Sequence, residues 1–337
     1  MQIPCLAPLL LALACLSSQA AETSRVLSRE SVITQFSDAQ SRFVDIDGVN
    51  LHYKDQGTGP AVLLMQGTNG DLADWDGWAA VLSKRYRVLR FDMPGFGLSG
   101  GLRSGNYSVD RMGALIDAFM DQMGSERFAI AGTSYGGLVA FRYAATRTER
   151  VSALILASSA GVEYGKPPAE AAAVIAPAAS SAASAASAAR ASIFYDAVIT
   201  AAEIEKNLRH VLVDQALVTP LMVQRKLAFA NIVGRGEESI AGRKLYERGD
   251  PVRVLAHVRA PSLVQWGAAN KALSVKTADA FVDALKNACV AERVIYPDAG
   301  HLLIVDKPAQ SAADAMAFLD RFLAAGANSP ACRKPKP

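Results

Sequence analysis

The chain is poor in the residue sets that build metal and phosphate sites. Its 337 residues include 4 cysteines and 4 histidines, and no Cys, His, Asp or Glu cluster has metal-ligand spacing. No glycine-rich phosphate loop follows the first predicted strand, so no cofactor is expected. Charge of one sign is scarce too. The formal net charge is +3, and the only compact basic run is the tail Arg333-Lys334-Pro335-Lys336, which lacks the footprint of a nucleic-acid binder. The apolar run Leu6 to Leu16 is too short to cross a bilayer, and no stable membrane span is expected.

That short run reads instead as the core of a signal peptide over residues 1–20. Ser18-Gln19-Ala20 supplies the small residues a signal peptidase reads, with cleavage near Ala20 or Ala21, although Met1-Gln2-Ile3-Pro4 carries no Lys or Arg. A lipoprotein anchored through Cys15 fits less well, because Ala12 stands where leucine is usual. Both readings imply export, to the periplasm or the medium. With Cys5 and Cys15 in the leader, Cys289 and Cys332 remain, and one pair in an exported protein suggests one disulfide.

What is abundant is apolar. Hydrophobic residues make up 51% and charged residues 20%, enough for one large α/β domain with an insertion. After an extension over 21–42, Phe43-Val44-Asp45-Ile46 and Asn50-Leu51-His52-Tyr53-Lys54 alternate about Asp47-Gly48, a hairpin signal. Ala61 to Met65 is a continuous apolar run, as in a strand buried on both faces. Further strands are expected at Arg87–Phe91, Phe128–Ala131, Val151–Ala157, Pro261–Gly267 and Glu292–Tyr296. Helices are expected at Trp75–Leu82, Ser108–Met123, Thr277–Leu285 and Gln310–Leu323. Strands alternating with helices require crossover connections and a mainly parallel sheet. The core is therefore 43–162 and 251–325, with a mostly helical cap over 163–250 and a tail over 326–337. The Ala/Ser tract 178–191 inside the cap reads as either helix or mobile lid. Ile193-Phe194-Tyr195 and Leu221 to Phe229 read as ordinary cap core.

The chemistry centres on Gly132-Thr133-Ser134-Tyr135-Gly136-Gly137. It sits where a strand ends and a helix starts, the setting of a nucleophile elbow, with Ser134 as the nucleophile. A serine hydroxyl needs a base. Of His52, His210, His257 and His301, only His301 follows a late strand on a glycine-containing loop at the sheet end where ligands collect.

Together with Asp92-x-Pro94-Gly95-x-Gly97-x-Ser99, Trp266-Gly267 and Ala299-Gly300-His301, the elbow resembles the α/β-hydrolase superfamily, in its capped esterase, C–C hydrolase and haloperoxidase-like branch. The resemblance covers Phe43 to Leu323. It implies a mainly parallel eight-stranded sheet flanked by helices with a helical cap insertion. It also implies Ser134 as nucleophile, His301 as general base and then acid, Gly132 and Gly136 as elbow glycines, and an oxyanion hole from the N–H groups of Thr68 and Tyr135. The expected reaction is cleavage of an ester or similarly activated small apolar substrate, with acyl transfer or cofactor-free oxygen chemistry as alternatives on the same fold. Serine at the elbow argues against the aspartate-nucleophile chemistry of dehalogenases and epoxide hydrolases.

Two positions depart from the pattern. Gln66-Gly67 replaces the usual His-Gly, and the usual triad acid is replaced by Asn270. Three readings follow. Glu163, just past the strand at Val151, supplies the acid; or Ser134 and His301 form a dyad with Asn270 as orienter; or the protein is a catalytically weak or inactive ligand-binding pseudo-hydrolase. Asp298, three residues before His301, is kept as an outside candidate for the acid.

Overall fold

The computed structural model describes residues 26–162, 199–235 and 250–323 together with Cys332. The chain opens with helix α1 (Arg29–Phe36), capped by the Ser28 side chain. It then enters strands β1 (Arg42–Ile46) and β2 (Val49–Gln56) through a tight hairpin. Asp47 and Gly48 take φ 51° and 79°, the left-handed pair such a turn requires. Strands β3 (Ala61–Met65), β4 (Arg87–Phe91), β5 (Phe128–Ser134), β6 (Val151–Ser159), β7 (Ser262–Gly267) and β8 (Ala291–Tyr296) complete one sheet. Its order is β1-β2-β4-β3-β5-β6-β7-β8. The β1–β2 and β2–β4 pairings are antiparallel and the rest parallel, giving the eight-stranded, mainly parallel sheet expected.

Helices cover both faces because the strands are apolar on both. In β3, Leu63 and Met65 join one core with α3 (Val109–Gln122), α4 (Tyr135–Thr146) and α8 (Lys276–Ala284). Val62 and Leu64 join the other, with α2 (Asp76–Leu82) and α10 (Pro308–Leu323). Between β6 and β7 lie α5 (Ala201–Val211), α6 (Pro220–Ala230) and α7 (Pro251–Leu255). The short α9 (Leu303–Asp306) precedes α10.

Several boundaries differ from the sequence pattern for local reasons. The helix expected from Trp75 starts earlier, as a 3-10 turn over Leu72–Trp75 whose first N–H groups are satisfied by a reciprocal Asp71/Asp74 capping box. Helix α1 lies within the extension, where weak amphipathicity left no periodic signal. Helix α9 is too short to show one. Segment 26–36 is tied to the insertion. Leu27 forms a parallel bridge with Ile232, and Phe36 packs edge-on to Phe229 at 5.5 Å.

Cys289 and Cys332 are bonded, with Cα atoms 5.1 Å apart, within normal disulfide reach. No helix of the described residues is long and apolar enough to cross a membrane. Residues 1–25, Glu163, the 178–191 tract and Ile193-Phe194-Tyr195 lie outside the described residues.

Candidate active site

Ser134 ends β5 with φ 50° and ψ −120°, immediately before α4. A non-glycine residue held in this region costs about 1–3 kcal/mol and persists only where the surroundings over-determine it. Here they do. Ala160 N–H donates to Ser134 O at 2.9 Å. A Cβ on Gly132 would lie 2.3 Å from Gly136 O, and one on Gly136 would lie 2.3 Å from Met65 O. Both elbow glycines are therefore required by close backbone approach. The strain lifts the Ser134 side chain clear of the strand at the N-terminus of α4, where Tyr135 begins the helix and its dipole favours negative charge.

The loop after β3 leans directly on the serine. A Cβ added to Gly67 would come within 2.9 Å of Ser134 Cβ and 3.6 Å of Ser134 Oγ. Gly67 O accepts from Gly70 N–H at 3.0 Å, and Asn69 takes φ 58°, so 67–70 is a closed turn. The fully buried Gln66 fills the place of the usual histidine. Its amide is oriented to donate to Phe91 O at 3.0 Å and to accept from Met93 N–H at 2.7 Å, which bolts the start of the loop to the end of β4. Asp92 extends this brace, accepting from Leu72 N–H at 2.7 Å and Leu98 N–H at 2.8 Å.

His301 follows β8, and α9 just beyond it packs against β6 and the turn at Leu72–Trp75, carrying the loop back towards the centre of the sheet. Asp306 fixes that loop by accepting from Gly300 N–H at 2.7 Å, and it holds the end of α5 through Val213 N–H at 3.0 Å and Asp214 N–H at 3.1 Å. Leu302 N–H donates to Val211 O at 3.2 Å. Burial pushes the His301 imidazole down to about 4, helped by the neighbouring His210, so at neutral pH the ring is uncharged.

The group beside it is Asn270. Asn270 Oδ1 accepts from Ala272 N–H and Leu273 N–H, both at 2.9 Å. Its oxygen is thereby committed to backbone, and the amide Nδ2 is the atom facing His301 Nδ1, at 3.2 Å. An NH2 group donates, so Nδ1 must accept and the ring proton of the neutral histidine sits on Nε2. A base that is to deprotonate Ser134 needs the opposite tautomer, with Nδ1 protonated. The structure thus brings Asn270 and His301 together, the contact that one of the three sequence readings requires, and adds a tautomer preference that the sequence could not show.

Asp298 does not join them. It is exposed and pairs with Lys307. Glu163 is not among the described residues. His52 is buried in a different network, its Nδ1 2.8 Å from Asp92 and its Nε2 2.9 Å from Ser41 Oγ, while His257 is exposed.

A buried ionic cluster beside the 67–70 turn escaped the sequence reading. Lys226, on α6, lies with its Nζ 2.9 Å from Asp74 Oδ1 and 3.3 Å from Asp71 Oδ2, and Arg225 Nε lies 3.3 Å from Asp71. The signal available was Lys226 at helical spacing between Met222 and Val223 on one side and Phe229 and Ala230 on the other.

A family profile described as alpha/beta hydrolase fold matches residues 60–308. The chain is 25% identical over 289 residues to the 2-hydroxy-6-oxo-6-(2'-aminophenyl)hexa-2,4-dienoic acid hydrolase of Metapseudomonas resinovorans, covering 83% of this chain and 91% of that one. It is 31% identical to haloalkane dehalogenase 2 of Mycobacterium tuberculosis, but over 120 residues only, so it spans 42% of that relative's length and 36% of its own. Among solved structures, a membrane phospholipase A described as a bacterial virulence factor superposes with TM-score 0.67 at 28% identity, covering 83% of this chain and 85% of the other.

Proposed function

We propose, from the premise that the chain belongs to the alpha/beta hydrolase fold family, that it is an exported serine hydrolase cleaving an ester or similarly activated carbonyl of a small, apolar substrate. The observation that supports this reading most is the strained Ser134 with Gly67 pressed against it, an arrangement that costs stability. Ser134 Oγ attacks the acyl carbon while His301, in its Nδ1-protonated tautomer, takes the hydroxyl proton at Nε2. The oxyanion that forms accepts from the N–H groups of Thr68 and Tyr135, each such donor being worth about 3 kcal/mol in the transition state. His301 returns the proton to the leaving alcohol, and water then releases the acyl group by the same steps in reverse. Helices α5 and α6 act as the cap, with Ile204, Leu208 and Val218 in its core and Met222, Leu227 and, from the His301 loop, Leu302 packed against it.

A fluorophosphonate probe tests the reading. Folded wild type should be labelled on Ser134 and Ser134→Ala should not; an unlabelled Ser134 would overturn it. The Asn270 amide favours a second reading, a ligand-binding protein with residual turnover, because it holds His301 in the non-basic tautomer. Equal background rates of p-nitrophenyl ester hydrolysis by wild type and Ser134→Ala would select that second reading.

A further inference from the structure

The turn carrying Thr68 has little of its own to hold it. It closes through one backbone hydrogen bond, Gly70 N–H to Gly67 O, and runs straight into Asp71, whose N–H donates to Asp74 Oδ2 at 3.2 Å and whose Oδ1 accepts from Ala73 N–H at 2.9 Å. Asp71 and Asp74 are both buried, at 2% and 5% exposure. Two carboxylates this close inside a protein repel each other and pay full desolvation unless cations compensate. The compensation comes from the insertion. Lys226 Nζ lies 2.9 and 3.0 Å from the two Asp74 oxygens, 3.3 Å from Asp71 Oδ2 and 3.5 Å from Asn69 O. One ammonium therefore touches both acids and the carbonyl of the residue after Thr68. Burial would raise Asp71, but Lys226 and Arg225 outweigh it and hold this carboxyl below its usual range, while burial and the adjacent Asp71 charge raise Asp74.

We propose that Lys226 is a positioning residue for the oxyanion loop: reaching down from α6, it fixes the 67–70 turn against Ser134, so that the seating of the insertion and the alignment of the Thr68 N–H are one event. The proposal rests on the serine-hydrolase reading for its catalytic meaning, but its structural content is independent of turnover. Arg225 sits at the edge of the cluster, 4.0 Å from Asp74, and cannot replace a centrally placed ammonium.

Hydrogen exchange and kinetics on the full chain test it together. In Lys226→Met, amides of 67–74 should exchange at least about tenfold faster while those of β5 and β6 keep wild-type protection. The kcat for p-nitrophenyl butyrate should fall towards the roughly hundredfold loss of one oxyanion donor, with KM nearly unchanged. Lys226→Arg should restore both. If Lys226→Met does not fold, the triple variant that adds Asp71→Asn and Asp74→Asn removes the three innermost charges, leaves only the partly exposed Arg225, and keeps the aspartate side-chain shape and the helix cap. It should fold and still show the loosened turn. Wild-type exchange across 67–74 in either variant overturns the proposal, as does faster exchange spread evenly over the whole sheet. A wild type that exchanges as described yet hydrolyses nothing refutes the serine-hydrolase reading and leaves the latch standing.

Discussion

Replacing Asn270 by Asp should speed ester hydrolysis at Ser134. In the native site the amide oxygen is occupied by Ala272 N–H and Leu273 N–H, and the NH2 donates to His301 Nδ1 across 3.2 Å. The basic tautomer points Nδ1–H at that NH2. One hydrogen bond is lost and two buried donors are left facing each other, a penalty of about 2–5 kcal/mol, which makes the competent tautomer scarcer by about thirty- to several thousand-fold. An aspartate at 270 keeps one oxygen on the same two backbone donors. Its other oxygen accepts from Nδ1–H, and its negative charge stabilises the imidazolium formed during attack. The opposite change in trypsin-like proteases lowers kcat about ten thousand-fold. Asn270→Asp should therefore raise kcat on p-nitrophenyl esters by about 10² to 10⁴, and the added activity should vanish in Asn270→Asp/Ser134→Ala. The acid limb of its pH–rate profile should move upward, because the new carboxylate raises an imidazole now held at about 4. A folded Asn270→Asp protein no faster than wild type would refute the tautomer reasoning.

Two further outcomes follow from the same structure. Because the folded pKa of His301, about 4, lies below its unfolded value near 6.5, the unfolded chain takes up the proton first as pH falls. Stability should drop by about 3 kcal/mol between pH 6.5 and 4 on this account, and urea titrations at several pH values should show a shallower drop in His301→Gln; equal slopes would contradict it. The Cys289–Cys332 bond closes a loop of sequence separation 43, for which chain entropy gives up to about 4 kcal/mol. Cys289→Ser should lose about 2–4 kcal/mol in denaturant midpoint experiments, and no loss would show the bond to be energetically idle.

The central strands are legible because β3, β5, β6 and β7 are short, largely apolar runs, β1 and β2 because they alternate about Asp47-Gly48, and the four ordered motifs single out Ser134, His301 and Asn270 as candidates. The cysteine pair was legible by simple counting. Periodicity could not reveal α1 or α9, whose helices are short and weakly patterned, nor the Asp71–Asp74–Lys226 cluster. A lysine on an apolar helix face hints at a buried partner, but nothing local says that the partners stand about 150 residues away. Sequence named Asn270 as the anomalous residue, but the direction of its amide depends on Ala272 and Leu273 N–H groups. That is a property of loop conformation, and it converts a missing charge into a misplaced proton.

The disulfide also has a topological meaning. The covalent ring that it closes runs from Cys289 to Cys332 and contains β8, the His301 loop, α9 and α10. A protease that cuts once anywhere inside this span produces two fragments that remain one molecule. In an environment with peptidases, the segment carrying His301 can be nicked without being shed, and the severed ends stay tethered beside the sheet. Only a second cut within the ring, or reduction, releases any of it.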